Sequence, residues 1–508
     1  MSFGELLFSA MFMEEIGCEY HRHAISKVSL ILRVAQRRAL SLKSMNDLNK
    51  TILASHRTLS DCNVRFLSYL LTNREYLERS HYQAILEYQY PRRNYNTQPW
   101  PIFINKQVKE KLAISALKVQ RLITSIPEMI FSYNLKKMSE YYEIPLDCLR
   151  SSIEGIDTNF FRRGLGRGDF ILSQNGEMKC VEFNLAPNVA GWWKDRLEME
   201  YLKIPAIKGF MHLNGIKHNP SYFFETLFSY VISVYLKCSG SQNGDINLVI
   251  TASNLENVSS GLNDLVKIYQ TVLCKFAPDI KGRLFISLPT ALVLEKNALK
   301  LDGTHIQILI DTDSNDHGMS WFALAKKGGL ELYNGPVTEL MCNKLNLALL
   351  SEYQESELFT KEESYDIASH IPWTRKTIRA ITQYCGRKIE LQDFALNCRE
   401  QLVLKHATKL GGADVYIGAH TPANVWNQKV YTAFVQRTWV LQERVHSQKF
   451  YCQYGDNGYA PHDAIWGLFV FGNVYGGAWV RVAPLDTLDG VINGTRGAEQ
   501  SIVIEIDE

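Results

Sequence analysis

The stretch Arg167-Gly-Asp-Phe-Ile-Leu-Ser-Gln-Asn175-Gly176-Glu-Met-Lys-Cys-Val-Glu182-Phe-Asn184 decides how the chain is read. Asn175-Gly176 between β-branched and aromatic residues is the strongest short-range hairpin signal, because a two-residue turn needs positive φ at both positions. With Asn175 and Gly176 as the loop, Gln174 faces Glu177. Counting back along the ladder then places Asp169 opposite Glu182 and Arg167 opposite Asn184. Opposed side chains have Cβ atoms roughly 4.5–5.5 Å apart, and like charges there destabilise a sheet. Two acids and an amide oxygen on one face are hard ligands suited to Mg²⁺, which takes one or two carboxylates together with substrate phosphates. Two plainer readings stand beside this one: surface acids on a solvated face, and a salt bridge in which Arg167 neutralises them.

The rest of the composition narrows the field. A chain of 508 residues suggests about two to four domains. Its 46% hydrophobic and 21% charged residues have the balance of a folded globular protein. A net charge of +2, with no basic tract, gives no electrostatic case for nucleic acid. The ten cysteines are scattered, with no C-x-x-C pair and no clustered His, which speaks against zinc and fits thiols in a reducing compartment. Met1 to Met13 is apolar but lacks a basic n-region and runs into Glu14 and Glu15, unlike a signal peptide. The longest apolar run, Phe223 to Leu236, is short for a membrane span and carries Glu225. The expectation is a cytoplasmic protein with neither a nucleic acid nor a membrane as partner.

Patterning divides the chain into four parts. Residues 1–150 read as a helical N-terminal region, from three- and four-residue apolar spacing (Ile25, Val28, Ile31, Leu32, then Leu40, Leu42, Leu48, Ile52). A loop from Tyr90 to Pro101 and an interruption near Pro127 break it. The hairpin segment occupies 151–215. Residues 216–340 alternate strands (248–252, 283–287, 305–310) with a helix at 262–275, a small α/β unit with a parallel sheet. Residues 341–508 begin with a helix over 340–358. Strands at 402–405, 415–418 and 439–445 follow, with a helix over 424–436. A closing hairpin turns at Gly476-Gly477.

This last part carries a second set of polar residues. Lys405 ends an apolar strand as a compact charge for phosphate, and Gly411-Gly412 follows in a loop whose backbone N–H groups would approach phosphates closely. The loop joins strand to strand, so it is neither a Walker A motif nor a dinucleotide fingerprint; a glycine-bearing hairpin with an exposed lysine is the plain alternative. Gln442 and Glu443 end another apolar strand and suit an adenine edge. Arg481 lies between apolar residues, where a partly buried charge needs a partner.

Taken in order, Arg167-x-Asp169, Glu182-x-Asn184, Asn343-Lys344 opening a helix, Lys405 with its Gly loop, Gln442-Glu443 and Arg481 resemble the ATP-grasp carboxylate–amine ligases. The order is that of the circularly permuted type, in which the metal-binding hairpin precedes the nucleotide lysines, as in glutathionylspermidine synthetase-like proteins. The resemblance covers roughly residues 160–500; the N-terminal 150 residues have no counterpart in it. It implies an α+β, ATP-grasp fold in circularly permuted order, with a small α/β (pre-ATP-grasp-like) domain. It implies ATP and Mg²⁺ as cofactors, the metal held by Asp169, Glu182 and Asn184. Arg167 would lie near the γ-phosphate, Lys344 and Lys405 on the α- and β-phosphates, Gly411 and Gly412 in a lid, Gln442 or Glu443 at the adenine, and Arg481 towards the phosphate or acyl group. The loop departs from the pattern, with few glycines and His406 where proline is common. The reaction implied is amide-bond formation through an acylphosphate, between a small-molecule or peptide carboxylate and an amine. The alternatives are a kinase, a ligase with another nucleophile, or a nucleotide-binding protein without catalysis.

Overall fold

Alternation along four strands sets the architecture. Successive side chains of a strand point to opposite faces. In Leu165–Leu172, Met178–Asn184, Tyr459–Phe471 and Val474–Pro484, Phe170, Leu172, Phe183, Trp466, Leu468, Val480 and Val482 therefore share one apolar core. Arg167, Asp169, Glu182, Asn184, Ile465 and Arg481 line a cavity instead. The computed structural model describes residues 44–86, 96–156, 159–239, 244–255, 261–312, 318–333, 335–455, 458–485 and 489–508. The helices expected before residue 44 and the loop residues 87–95 lie outside these.

The four strands belong to an eight-stranded sheet whose main path runs Ile102–Ile104, Glu499–Asp507, Val474–Pro484, Tyr459–Phe471, Leu165–Leu172, Met178–Asn184. Its first pair is parallel and the others on this path are antiparallel. The segment before residue 150 thus supplies an edge strand as well as helices. Its helix Lys106–Met129 lays Leu112, Ala116, Val119, Leu122, Ile123 and Ile126 onto the apolar face, at the spacing that puts side chains on one helix stripe. The Asn105 side chain accepts from the Val108 N–H at 3.0 Å and caps the helix. Pro127 does not interrupt it. The helix carries Pro127 inside its last turns and stops after Met129, just before Ser132 and Tyr133 take left-handed φ.

The central hairpin reaches the expected pairing by an unexpected route. The Ser173 N–H donates to Glu177 O (2.8 Å) and the Gly176 N–H to Ser173 O (2.8 Å). The loop is therefore Gln174-Asn175-Gly176, three residues long, with Gly176 at φ +79°. That shifts the ladder by one, so Leu172 faces Met178 and Phe170 faces Cys180. An irregularity next to Asp169 then leaves Val181 as an extra residue and returns the register. Asp169 faces Glu182 and Arg167 faces Asn184. Such bulges re-aim side chains beside functional sites.

A second sheet, antiparallel and four-stranded, runs in the order Thr374–Lys376, Trp439–Glu443, Leu402–His406, Val415–Ile417. Leu402, Leu404 and Leu441 pack on Trp426 and Val430 of the helix Ala423–Gln436, so Val403, Lys405 and Gln442 face the cavity. A third sheet is parallel, in the order Glu331–Tyr333, Ile308–Ile310, Leu248–Thr251, Leu284–Ser287. The strand expected over 305–310 is split. Thr304–Ile306 pairs in a small meander, and Gln307 turns the chain into the parallel sheet by donating to Asn247 O. The helix expected over 340–358 is confined to Leu345–Tyr353, because the Asn343 side chain caps Leu345 N–H (2.9 Å) and separates it from the short helix Val337–Met341. The closing hairpin turns at Gly472-Asn473, not at Gly476-Gly477. Those two glycines lie within the strand, where a Cβ on Gly476 would meet the Phe471 ring at 2.5 Å. Among the described residues no helix is long and apolar enough to cross a membrane.

Candidate functional site

Two sheets meet at one cavity of about 420 Å³. The central sheet contributes Arg167, Asp169, Ile171, Glu182, Asn184, Ile465 and Arg481; the second contributes Val403, Lys405, Ile417, Gln442 and Glu443. The loop with Gly411 and Gly412 and the segment around Val491 and Asn493 complete the wall. Ten of the eleven residues singled out in the sequence thus line a single cavity. The eleventh, Lys344, touches it through Glu182.

Asp169 is the electrostatic centre. Arg167 grips it with two bonds, Nε to Oδ1 at 2.8 Å and Nη2 to Oδ2 at 3.1 Å, the fork geometry that makes arginine–carboxylate pairs strong. Arg481 Nη2 lies 2.7 Å from the same Oδ2. Burial alone would raise the Asp169 carboxyl, but the guanidinium groups of Arg167 and Arg481 overcome it and hold the group at about 2. The carboxylate is therefore charged, and the salt-bridge reading of Arg167 describes this state of the site. Glu182 pairs with Lys344 at 3.1 Å, and Lys344 Nζ also donates to Lys409 O (2.6 Å), tying the acid to the start of the Gly loop.

Lys405 is held differently. Its Nζ donates to Val181 O at 3.0 Å and to Gln442 Oε1 at 2.7 Å, both neutral acceptors. Burial pulls its ammonium down to about 8, with Lys344 adding repulsion and Glu182 opposing the shift. Gln442 is held at both ends of its amide, because its Nε2 donates to Thr374 Oγ1 at 3.1 Å, whereas Glu443 is half-buried at the rim. Gly411 and Gly412 have φ of +67° and +77°, so each sits where a side chain would be strained. Arg496 Nη2 donates to Gly412 O at 3.3 Å and fastens the loop to the segment beyond Val491.

Two further contributors, Ala190 and Gly467, are not among the residues singled out in the sequence. The Ala190 carbonyl accepts from Arg167 Nη1 at 2.6 Å. Gly467 gives Arg167 its room: a Cβ there would lie 2.7 Å from Arg167 Cδ and 3.0 Å from Nε. A lone glycine inside an alternating strand signals close approach of this kind. Gly467→Ala is therefore expected to displace Arg167 and loosen its fork on Asp169. A crystal structure of that variant with both bonds intact would contradict this. Trp192 and Trp193 do not line the cavity. Trp193 is buried with Nε1 on Gln500 Oε1 (2.8 Å), and Trp192 packs on Phe223 at 5.2 Å.

No cluster of three or more His, Cys, Asp or Glu side chains that could hold a metal gathers among the described residues. The oxygen set here is two carboxylates and one amide. Around it stand Arg167, Arg481, Lys344 and Lys405, four cationic side chains against two acids, and the buried Arg481 Nε has no acceptor. Over the cavity lining as a whole, which takes in Arg444, Lys449, Glu443 and Asp463 but not Lys344, five cationic side chains stand against four acids.

No protein-family model matches the sequence, and no curated protein matches it. Among solved structures, a glutathione synthetase-like effector from Globodera pallida in its apo form is similar to this chain. The TM-score is 0.50 with 13% identity, over 80% of this chain and 90% of that one. The mixed α+β architecture, with several sheets and flanking helices, is thus that of a glutathione synthetase-like fold.

Proposed function

We propose that this chain is an ATP-dependent ligase that joins a carboxylate to an amine, with the cavity between the two sheets as its nucleotide site. One observation carries the reading. Hairpin acids, two arginines and Lys405, distant in sequence and arriving from separate sheets, converge on one cavity with surplus positive charge. The fold, with its likeness to a glutathione synthetase-like protein, agrees with it, and the permuted order of the motifs is part of the proposal.

The donor set fits a cation that arrives with a triphosphate. Each acid already has a cationic partner in the free protein, so a metal with no accompanying anion would have to displace arginine or lysine. Asp169, Glu182 and Asn184 would hold Mg²⁺, a hard ion satisfied by carboxylate, amide and phosphate oxygens. Bound Mg·ATP supplies the γ-phosphoryl group that converts a carboxylate into an acylphosphate, which an amine then opens with loss of phosphate. The chain's own part is positioning and charge, which is what phosphoryl transfer requires of a protein. Arg167 and Arg481 stabilise charge developing on the transferred group and on the acyl oxygen. Lys405 and Lys344 neutralise the phosphates, and Glu443 meets the ribose or adenine at the rim. Ile171 and Ile465 from one sheet and Val403 and Ile417 from the other give the apolar walls for a planar base. The Gly411-Gly412 loop shields the reactive intermediate from water.

The decisive experiment is turnover of ATP with pooled amino acids and peptides in the presence of hydroxylamine. An acyl hydroxamate with stoichiometric ADP is expected; ADP formed with a phosphorylated product and no hydroxamate would make the protein a kinase instead. A pH dependence follows from Lys405. Only its ammonium form attracts phosphate, and in the free protein that form is lost as pH rises through about 8. ADP affinity measured by calorimetry is expected to fall above that pH and to level off below it. A flat profile through this range would remove Lys405 from the phosphate site.

A further inference from the structure

We infer that Thr374 and Gln442 are positioning residues for Lys405, acting as a one-way chain of hydrogen bonds that keeps the lysine's charge in place and unneutralised. Arg167 and Arg481 touch Asp169, and Lys344 touches Glu182. Lys405 differs from these three: the hydrogen bonds its Nζ makes here are to neutral oxygens, Val181 O and Gln442 Oε1. A lysine ammonium has three donors and no acceptor capacity. Two of them fix its direction, and the third is left for a ligand.

The chain has only one sense. Lysine only donates, so Gln442 must turn its carbonyl to Lys405. The amide nitrogen of Gln442 then points to Thr374 Oγ1 (3.1 Å), which must accept. The threonine hydroxyl in turn spends its own hydrogen on Pro372 O at 2.8 Å. Thr374 is wholly buried and faces Gln442 across the sheet, with its N–H held by Ser351 Oγ at 3.0 Å. An amide between a donor-only lysine and a hydroxyl already committed as donor has no competing orientation. The charged groups acting on Lys405 are Glu182 and Asp169 from the hairpin and Lys344 from the helix start, with the Cys180 thiol beside them. None of these replaces the neutral contact of Gln442. A carboxylate at position 442 would cancel the charge that the phosphate is proposed to meet.

That Lys405 meets a phosphate rests on the function proposed above; that Thr374 and Gln442 orient it rests on the geometry alone. The test compares the wild type with Thr374→Val, Thr374→Ser and Gln442→Glu. Valine keeps the shape and loses the hydroxyl, whereas serine keeps the hydroxyl and loses the methyl. ADP affinity by calorimetry is expected to fall on the order of tenfold in Thr374→Val and in Gln442→Glu and to recover in Thr374→Ser, and adenosine affinity to stay constant in the two Thr374 variants. A Thr374→Val protein that binds ADP like the wild type, or a Thr374→Ser protein as weak as Thr374→Val, would overturn the positioning role. Trace acylation of Lys405 relative to the exposed Lys50, read by peptide mass spectrometry, decides the matter without any ligand. The relative rate is expected to rise in Thr374→Val, to match wild type in Thr374→Ser, and to drop in Gln442→Glu. Equal rates in all four proteins would overturn the inference. A wild type that binds no ADP yet shows these rates would overturn the nucleotide site and leave the positioning role standing.

Discussion

Asp169→Asn is expected to lose ATP-dependent turnover by at least on the order of a hundredfold and, unlike a surface change, to lower stability by about 3–5 kcal/mol. Asparagine fills the same space but leaves Arg167 and Arg481, both nearly inaccessible, without their shared counter-charge. The two guanidinium groups thus tie Asp169 to the fold as well as to the site. Glu182→Gln separates the effects, because Glu182 has one cationic partner and a side chain 22% exposed. Its turnover is expected to fall as far while its stability falls by less than in Asp169→Asn, because one buried cation, Lys344, loses its acid instead of two. The acid dependence has a definite sign. The Asp169 carboxyl is depressed from 3.8 to about 2, so its contribution to stability is present above 3.8 and lost as pH falls towards 2. Denaturant titrations across that window should show the loss in the wild type and not in Asp169→Asn. The same clamp predicts that Mg²⁺ alone binds poorly and that nucleotide strengthens its binding; equal Mg²⁺ affinity with and without nucleotide would show that the arginines do not guard the acid.

Lys405→Met gives the second large effect, in the opposite combination. Loss of a charge-assisted bond to phosphate is worth about 1.5–3 kcal/mol, so ADP affinity should drop roughly 10- to 100-fold. Stability should not drop with it. Burial depresses the Lys405 ammonium from 10.5 to about 8; the folded state therefore disfavours the charge, a cost fully present below pH 8 and relieved as pH rises from there towards 10.5. Methionine has similar length and carries no such cost, while Gln442 and Val181 each give up one donor. A thermal midpoint at or above that of the wild type, with weakened ADP binding, is the expected pair of results. A lowered midpoint with unchanged affinity would mark Lys405 as a structural residue. Residues that serve a site at the expense of the fold behave in the expected way.

Much of the site was legible because it obeys period two. Arg167 and Asp169, like Glu182 and Asn184, are spaced to share one face of a strand, and Lys405 and Gln442 each follow a core leucine, Leu404 and Leu441, on the opposite face of their strands. The pairing of Asp169 with Glu182 came out right although the turn did not. A three-residue loop shifted the ladder by one, and the extra residue at Val181 shifted it back. Neither device has a residue signature strong enough to read, and their cancellation is a property of the folded sheet. Thr374 was illegible for a different reason: it belongs to a three-residue strand 68 residues before Gln442 and pairs with it only in the sheet. Gly476-Gly477 looked like a turn because glycine pairs usually are, yet tight packing against Phe471 and Lys194 is what excludes side chains there. The break between Met341 and Leu345 depends on the side chain of Asn343 reaching the Leu345 N–H, a cap that apolar periodicity does not reveal.

The central claim is that one cavity binds a metal–triphosphate pair through groups from two sheets. Calorimetric titration of ATP into the wild type, Glu182→Gln and Lys405→Met, each with and without Mg²⁺, tests it most directly. The account predicts one site per chain in the wild type, tighter with Mg²⁺, with the Mg²⁺ enhancement lost in Glu182→Gln and affinity lost in Lys405→Met under both conditions. ATP binding that is absent, or that is indifferent to Mg²⁺ and to both substitutions, would contradict it.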